Sequence, residues 1–300
     1  MNSFYNKTII LPEDDARIIE ASNNINFCNI LLIGEGISSK ENVNYIDNKT
    51  YKDNDILINE LYDLRKDKGL TIEDARDLIT NNKYVFSLML LRKGIADGVV
   101  CGATLTSKEV IGHALRIIGS KGFASSFTLI DNKDKGLLLF SDTGLNIDPS
   151  IDNLVSIAED SCKSYKKITG NESIVGFLSH STDSSCICDM QNKMHEAAAL
   201  FKEKNSNIRC DYEMQFDAAI DQNVSNMKIK NSNTNGLVNT FIFPNLDSAN
   251  IAYKVAERLG NNKCYGPIIQ GLNKPVNDIS RGSSVEDIIG TVYLTVLMSL

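Results

Sequence analysis

Ser280, Arg281 and Asp287 place a hydroxyl, a guanidinium and a carboxylate on one short segment, with Gly282, Ser283 and Ser284 between them. A helix is expected to begin there. Backbone N–H groups at a helix N-terminus and a guanidinium both stabilise developing negative charge, and a nearby carboxylate can take a proton. That combination suits acyl or phosphoryl transfer. The same spacing permits a plainer reading. Ser284 and Asp287 fit the S-x-x-[DE] pattern of a capping box, and the field of a helix N-terminus favours the carboxylate anion, which makes it a weaker base. Spacing alone leaves both open.

Other candidates carry less. Gly34 and Gly36 follow a strand-like run and mimic the start of a dinucleotide fingerprint. However, the third small position is Ser39, and 40–50 is polar without helical period, so a loop is expected. His113 and His195 sit in helical patterns and read as solvated or capped residues. His180 lies at a strand end between Ser179 and Asp183, but neighbours along a strand point apart and do not assemble a triad. The seven cysteines are scattered. Cys186 and Cys188 are too close for zinc spacing and lack two further ligands, so reduced thiols and no metal are expected. Asp211, Glu213, Gln215 and Asp217 resemble paired acids. Anionic substrates would be repelled there, so a strand with a polar face at a domain junction is the preferred reading.

These groups need a scaffold, and strand and helix periods alternate almost throughout. Strands are expected at 7–11, 30–33, 98–101, 123–130, 136–140, 173–178, 240–243 and 265–270. Helices are expected from Glu13 onward, with Asp14 and Asp15 in the first turn, and at 55–66, 72–81, 86–92, 106–119, 150–168, 188–204, 247–259 and 285–298. The stretch 222–236 reads as loop. The alternation implies an α/β chain with mainly parallel sheets, and 300 residues favour two such units. A net charge of -7 argues against non-specific nucleic-acid or anionic-membrane binding, so an anionic substrate requires a local basic pocket. No apolar run reaches the length of a membrane span, and the start of the chain shows no apolar leader, so a cytoplasmic protein is expected.

The sequence resembles the phosphate acetyltransferase (phosphotransacetylase) family, within the phosphate acetyl/butyryl transferases. The matching segments are TIILPEDDAR (8–17), LYDLRKDKG (61–69), ADGVVCGAT (96–104), FSDTGL (140–145), FLSHSTDSS (177–185), DYEMQFDAAI (211–220), FIFPNLDSANIAYK (241–254) and YGPIIQGLNKPVNDISRG (265–282). They span nearly the whole chain in order. The resemblance implies two α/β/α domains of isopropylmalate dehydrogenase-like architecture with an active-site cleft between them, here expected over 1–125 with 281–300 and over 126–280. It also implies a homodimer, and reversible conversion of acetyl-CoA and phosphate to acetyl phosphate and CoA by direct attack in a ternary complex. CoA enters as a substrate, with no tightly bound cofactor.

By the same resemblance Asp287 is the base, Arg281 the charge stabiliser and Ser280 the hydroxyl that bonds the reacting groups. Arg65, in LYDLRKDKG, matches an arginine that contacts CoA. Asn277, Ser283 and Ser284 are assigned with Arg65 and Arg116 to CoA and phosphate binding. The sequence departs from the family in two places. Where L-R-P is usual, Ile111-Gly112-His113 stands, so a CoA-binding arginine is missing; Arg116, four residues after Gly112 on the same helical face, is the candidate to cover its space. Tyr212 stands where glycine is usual. Two alternatives remain: a butyryl-type phosphate acyltransferase, and a non-catalytic paralogue that binds CoA or acyl phosphate. A metal-dependent hydroxyacid dehydrogenase lacks a usable nucleotide fingerprint and a metal-binding carboxylate set.

Overall fold

A computed structural model describes residues 4–300. Residues 1–3, the start of the segment read as lacking a leader, lie outside the described residues. The chain divides into two compact units, 4–121 with 272–300, and 122–271.

The first unit runs β1 (Thr8–Leu11), α1 (Ala16–Asn24), β2 (Asn29–Ile33), β3 (Val43–Ile46), α2 (Asn54–Arg65), α3 (Ile72–Asn81), α4 (Lys83–Lys93), β4 (Gly98–Cys101) and α5 (Ser107–Ile117). The second holds β5 (Ser120–Asn132), β6 (Gly136–Ser141), α6 (Ile151–Thr169), β7 (Ile174–Phe177), α7 (Asp189–Lys204), β8 (Arg209–Cys210), α8 (Phe216–Ile220), α9 (Gln222–Lys228), β9 (Thr240–Ile242), α10 (Leu246–Arg258) and β10 (Lys263–Leu272). The chain then returns to the first unit for β11 (Val276–Asp278) and α11 (Val285–Ser299).

In the first unit five parallel strands lie in the order β11-β4-β1-β2-β3. Alternate side chains of a strand face opposite sides. Ile10 therefore joins α2, α3, α4 and α5 in one core, while Ile9 and Leu11 join Ile18 of α1 and Ile288, Val292 and Val296 of α11 in the other. Helices thus cover both faces, as a parallel sheet requires. The second unit has six strands in the order β10-β5-β6-β9-β7-β8, parallel across β6-β9-β7-β8 and antiparallel at the β5-β6 hairpin. Phe140 and Phe241 pack with α8 and α10 on one side; Val175 and Phe177 pack with α6 and α7 on the other. The α/β architecture with mainly parallel sheets is as the sequence indicated.

Several elements differ from expectation. The stretch 40–50 contains edge strand β3. Among the described residues it pairs only with β2, and it buries only Val43 well, so its sequence stays polar. Residues 222–236 begin with helix α9, whose capping carboxylate, Asp221, accepts from the N–H of Asn223 and Val224. The first helix starts at Ala16 rather than Glu13: Asp15 is its N-cap, and Glu13 and Asp14 precede it. The return to the first unit comes at Leu272 rather than 281, because Val276, Asn277 and Asp278 pair with β4. Among the described residues, no helix is long and apolar enough to cross a membrane.

Candidate active site

The segment that carries Ser280 emerges from the carboxyl end of β11, the edge at which open α/β sheets place ligands. Pairing continues to the Ile279 N–H, which donates to Cys101 O at 2.7 Å, and then stops. Ser280, Arg281 and Gly282 are exposed. The loop turns on itself through Ser283 N–H to Ser280 O (2.9 Å) and Gly282 N–H to Ser280 Oγ (3.2 Å). Helix α11 follows at once. Its capping box is fully formed: Asp287 N–H donates to Ser284 Oγ (3.2 Å), and Ser284 N–H donates to Asp287 Oδ2 (2.9 Å). The plainer reading of Asp287 is therefore realised, but it engages only one carboxylate oxygen, and the side chain is exposed.

The structure separates the arginines into two groups. Of eight, five hold structural bonds: Arg17 to Asp15, Arg76 to Asp55, Arg92 to Glu60, Arg209 to two backbone carbonyls, and Arg258 to Glu257. The guanidiniums of Arg65, Arg116 and Arg281 make no hydrogen bond or ion pair among the described residues. These are the three that the sequence singled out. Unpaired guanidiniums are ready-made forks for phosphate or carboxylate oxygens.

Arg65 and Arg116 meet at a cavity of about 250 Å³, joined by Lys68 and His113 over apolar Leu61 and Leu78. Arg65 ends α2, Lys68 lies in the 3-10 turn Lys66–Lys68 that follows, and Arg116 occupies the last turn of α5. Burial holds the His113 imidazole below the usual histidine range, and the Arg116 charge lowers it further, so the pocket's positive charge comes from the arginines and Lys68. Arg116 folds back along α5: its Nη2 lies 3.7 Å from where a Cβ on Gly112 would stand. The guanidinium thus covers the position that lacks the expected arginine.

Three assigned residues have other work. Asn277 is completely buried on β11 and donates through Nδ2 to Thr295 Oγ1 at 2.8 Å, a bond that ties β11 to α11. The Ser284 hydroxyl is the helix cap, and the Ser283 carbonyl accepts from Arg17 Nη1 at 2.9 Å. The acids of 211–217 do not form a strand. Met214 makes only an isolated bridge to Leu178, and Asp211 and Glu213 are buried within their own unit.

Three residues escaped sequence reading. Glu13 accepts from the N–H groups of Gly102, Ala103, Thr104 and Leu105 and from the Thr104 hydroxyl, at 2.7–3.0 Å, and so pins the loop between β4 and α5. Arg17 binds the backbone of the 280–284 loop. Asp278 has a buried Oδ1 without a partner; burial pushes its carboxyl up to about 6, against a hydrogen bond from Ser107. The run of acids in LPEDDAR was the available signal, and first-turn placement on α1 accounted for it too easily.

The model of the phosphate acetyl/butaryl transferases matches residues 3–296. The chain belongs to this family. It is therefore an acyltransferase. It is 38% identical over 313 residues to the phosphate acetyltransferase of Acetivibrio thermocellus, spanning 98% of this chain and 94% of that protein. To that of Bacillus subtilis it is 36% identical over 308 residues, spanning 97% and 94%. A solved phosphotransacetylase from Streptococcus pyogenes matches with a TM-score of 0.93 at 32% identity, covering 99% of this chain and 96% of that one.

Proposed function

We propose that the protein is a phosphate acetyltransferase that interconverts acetyl-CoA and phosphate with acetyl phosphate and CoA in one ternary complex. The observation that carries this is the set of unpaired guanidiniums: Arg65 and Arg116 at a basic pocket, and Arg281 on the loop that opens α11. A substrate with an anionic nucleotide end and an anionic reacting end needs cations at both.

In the direction of acetyl-CoA formation, the CoA thiol, with an ordinary thiol pKa of about 8.5, gives its proton to Asp287. Oδ2 of Asp287 carries the cap, and Oδ1 is the oxygen for this proton. The sulfur attacks the acetyl carbonyl, forming the C–S bond; the C–O bond to phosphate then breaks, and phosphate leaves with the bridging oxygen. Arg281 balances the charge on the oxyanion and on the departing phosphate, and the positive end of α11 favours both anions. The Ser280 hydroxyl donates to the reacting oxygens. Arg65, Lys68 and Arg116 hold the nucleotide end of CoA, with Arg116 standing in for the arginine absent at Gly112. The homodimer and the cytoplasmic setting belong to the same proposal.

The test mixes purified protein with acetyl phosphate and CoA and follows thioester formation by ultraviolet absorbance, with butyryl phosphate in parallel. Faster turnover of the acetyl substrate is expected. Faster turnover of the butyryl substrate would replace the acetyl reading with the butyryl one, and no thioester from either would leave only the non-catalytic paralogue.

A further inference from the structure

We infer that Arg17 is a positioning residue for the transfer step, one that sets the place of Ser280 and Arg281 from outside their loop. The inference rests on the proposal that these two residues act on the substrate.

The loop between β11 and α11 has little of its own to hold it. Its first three residues are exposed, it has left the sheet, and its internal bonds are two short-range contacts to Ser280. Arg17 supplies the missing restraint. Its Nη1 donates to Arg281 O at 2.8 Å and to Ser283 O at 2.9 Å, bridging both sides of Gly282. The other face of the guanidinium is fixed: Nε and Nη2 donate to the two oxygens of Asp15 at 3.0 and 2.8 Å, and Nη2 also reaches Ala103 O at 3.5 Å.

Asp15 is itself anchored as the N-cap of α1, accepting from the Arg17 N–H at 2.8 Å. Ala103 belongs to the loop that Glu13 holds by its backbone N–H groups. All five guanidinium N–H donors thus have acceptors, on α1, on the β4–α5 loop and on the 280–284 loop. The arrangement needs a planar fork. A lysine ammonium is a single point with three donors; it can keep Asp15 but cannot also span two carbonyls on the loop. Neither loop contact uses the Arg281 or Ser280 side chain, so Arg17 fixes the backbone that carries them and leaves the reacting groups unobstructed.

Arg17→Met and Arg17→Lys test this in the full-length protein. Both are expected to lower kcat by roughly 10- to 100-fold, the scale of a misplaced catalytic group, with KM for CoA changed by less than about 3-fold, because Arg65 and Arg116 are untouched. In an Arg281→Ala background, either substitution should cost clearly less than it does in the wild type, since only Ser280 is left to position. Wild-type kcat in Arg17→Lys, or losses that multiply fully with Arg281→Ala, would overturn the inference. Thermal unfolding of both single variants separates loss of fold from loss of rate; if Arg17→Met does not fold, Arg17→Lys decides. An Arg281→Ala enzyme with full activity would instead sink the reading on which the inference rests, and the inference with it.

Discussion

Two acid- and base-rich segments of this chain look alike in sequence and do opposite things. In 211–217 every charge is engaged. Asp211 accepts from Ser232, from the N–H of Asn233 and from the N–H and hydroxyl of Thr234. Glu213, almost wholly buried, accepts from Ser184 N–H and Gln191 Nε2 and pairs with His195 Nδ1 at 2.7 Å. Lys228 bonds both Gln215 and Asp217. In 280–287 the guanidinium of Arg281 is exposed without a partner, and only one oxygen of Asp287 is occupied. Asp211 and Glu213 are desolvated and therefore must be paired, whereas charges that await an anion stay in water, where being unpaired costs little. Pairing, rather than composition, tells the two apart.

The largest expected effect tests the structural half of this contrast. Glu213→Ala strands the buried Gln191 amide and removes the partner of His195, and should lower stability by about 2 kcal/mol in urea unfolding, with kcat per folded molecule unchanged. A drop in kcat without a loss of stability would place the acid cluster in the chemistry and erase the contrast.

Next come Arg281→Ala and Asp287→Asn, each expected to reduce turnover by at least about 10²-fold with unfolding midpoints close to wild type. Asp287→Asn is the sharper of the two, because the amide oxygen can still accept from Ser284 N–H. The cap survives while the base is lost, so near-normal turnover would return Asp287 to a purely capping role.

Arg65→Ala and Arg116→Ala should each raise KM for CoA by about 10-fold, the scale of a charge-assisted bond, with little change in kcat. An unchanged KM for Arg116→Ala would reject its substitution for the arginine missing at Gly112.

The smallest effect concerns Asp278. Burial raises its folded pKa above the ordinary aspartate value of about 3.9, so the folded state holds the proton longer than the unfolded chain does. Its contribution to stability is full below the unfolded value and is lost as pH rises through about 6. Roughly 1 kcal/mol of stability should disappear between about pH 5 and pH 7, and Asp278→Asn should remove that slope. An identical slope in the variant would mean that Asp278 does not report its burial.

Much of the fold is legible in the sequence. Helix α3 and strand β4 fall on the residues expected, because helical and strand periods and the Thr71–Asp74 cap act over a few residues. Edge strand β3 and helix α9 were not legible. An edge strand needs only one buried face, and α9 lies in a run of polar residues whose helical preference is weak. The burial of Asn277 was not legible either, because an amide that bonds within the fold is indistinguishable in sequence from one that bonds a ligand.

The sequence by itself determined the alternation of elements, the family, and the three arginines worth watching. The tertiary structure alone decided which of the eight arginines are unpaired among the described residues, that the Arg116 guanidinium lies over Gly112, and that Arg17 grips a loop 264 residues away along the chain. Periods and caps are written within a turn or two of helix, where spacing dictates contact. A hydrogen bond from α1 to the start of α11 exists only once β1 and β4 have been brought side by side, and no local spacing encodes that meeting.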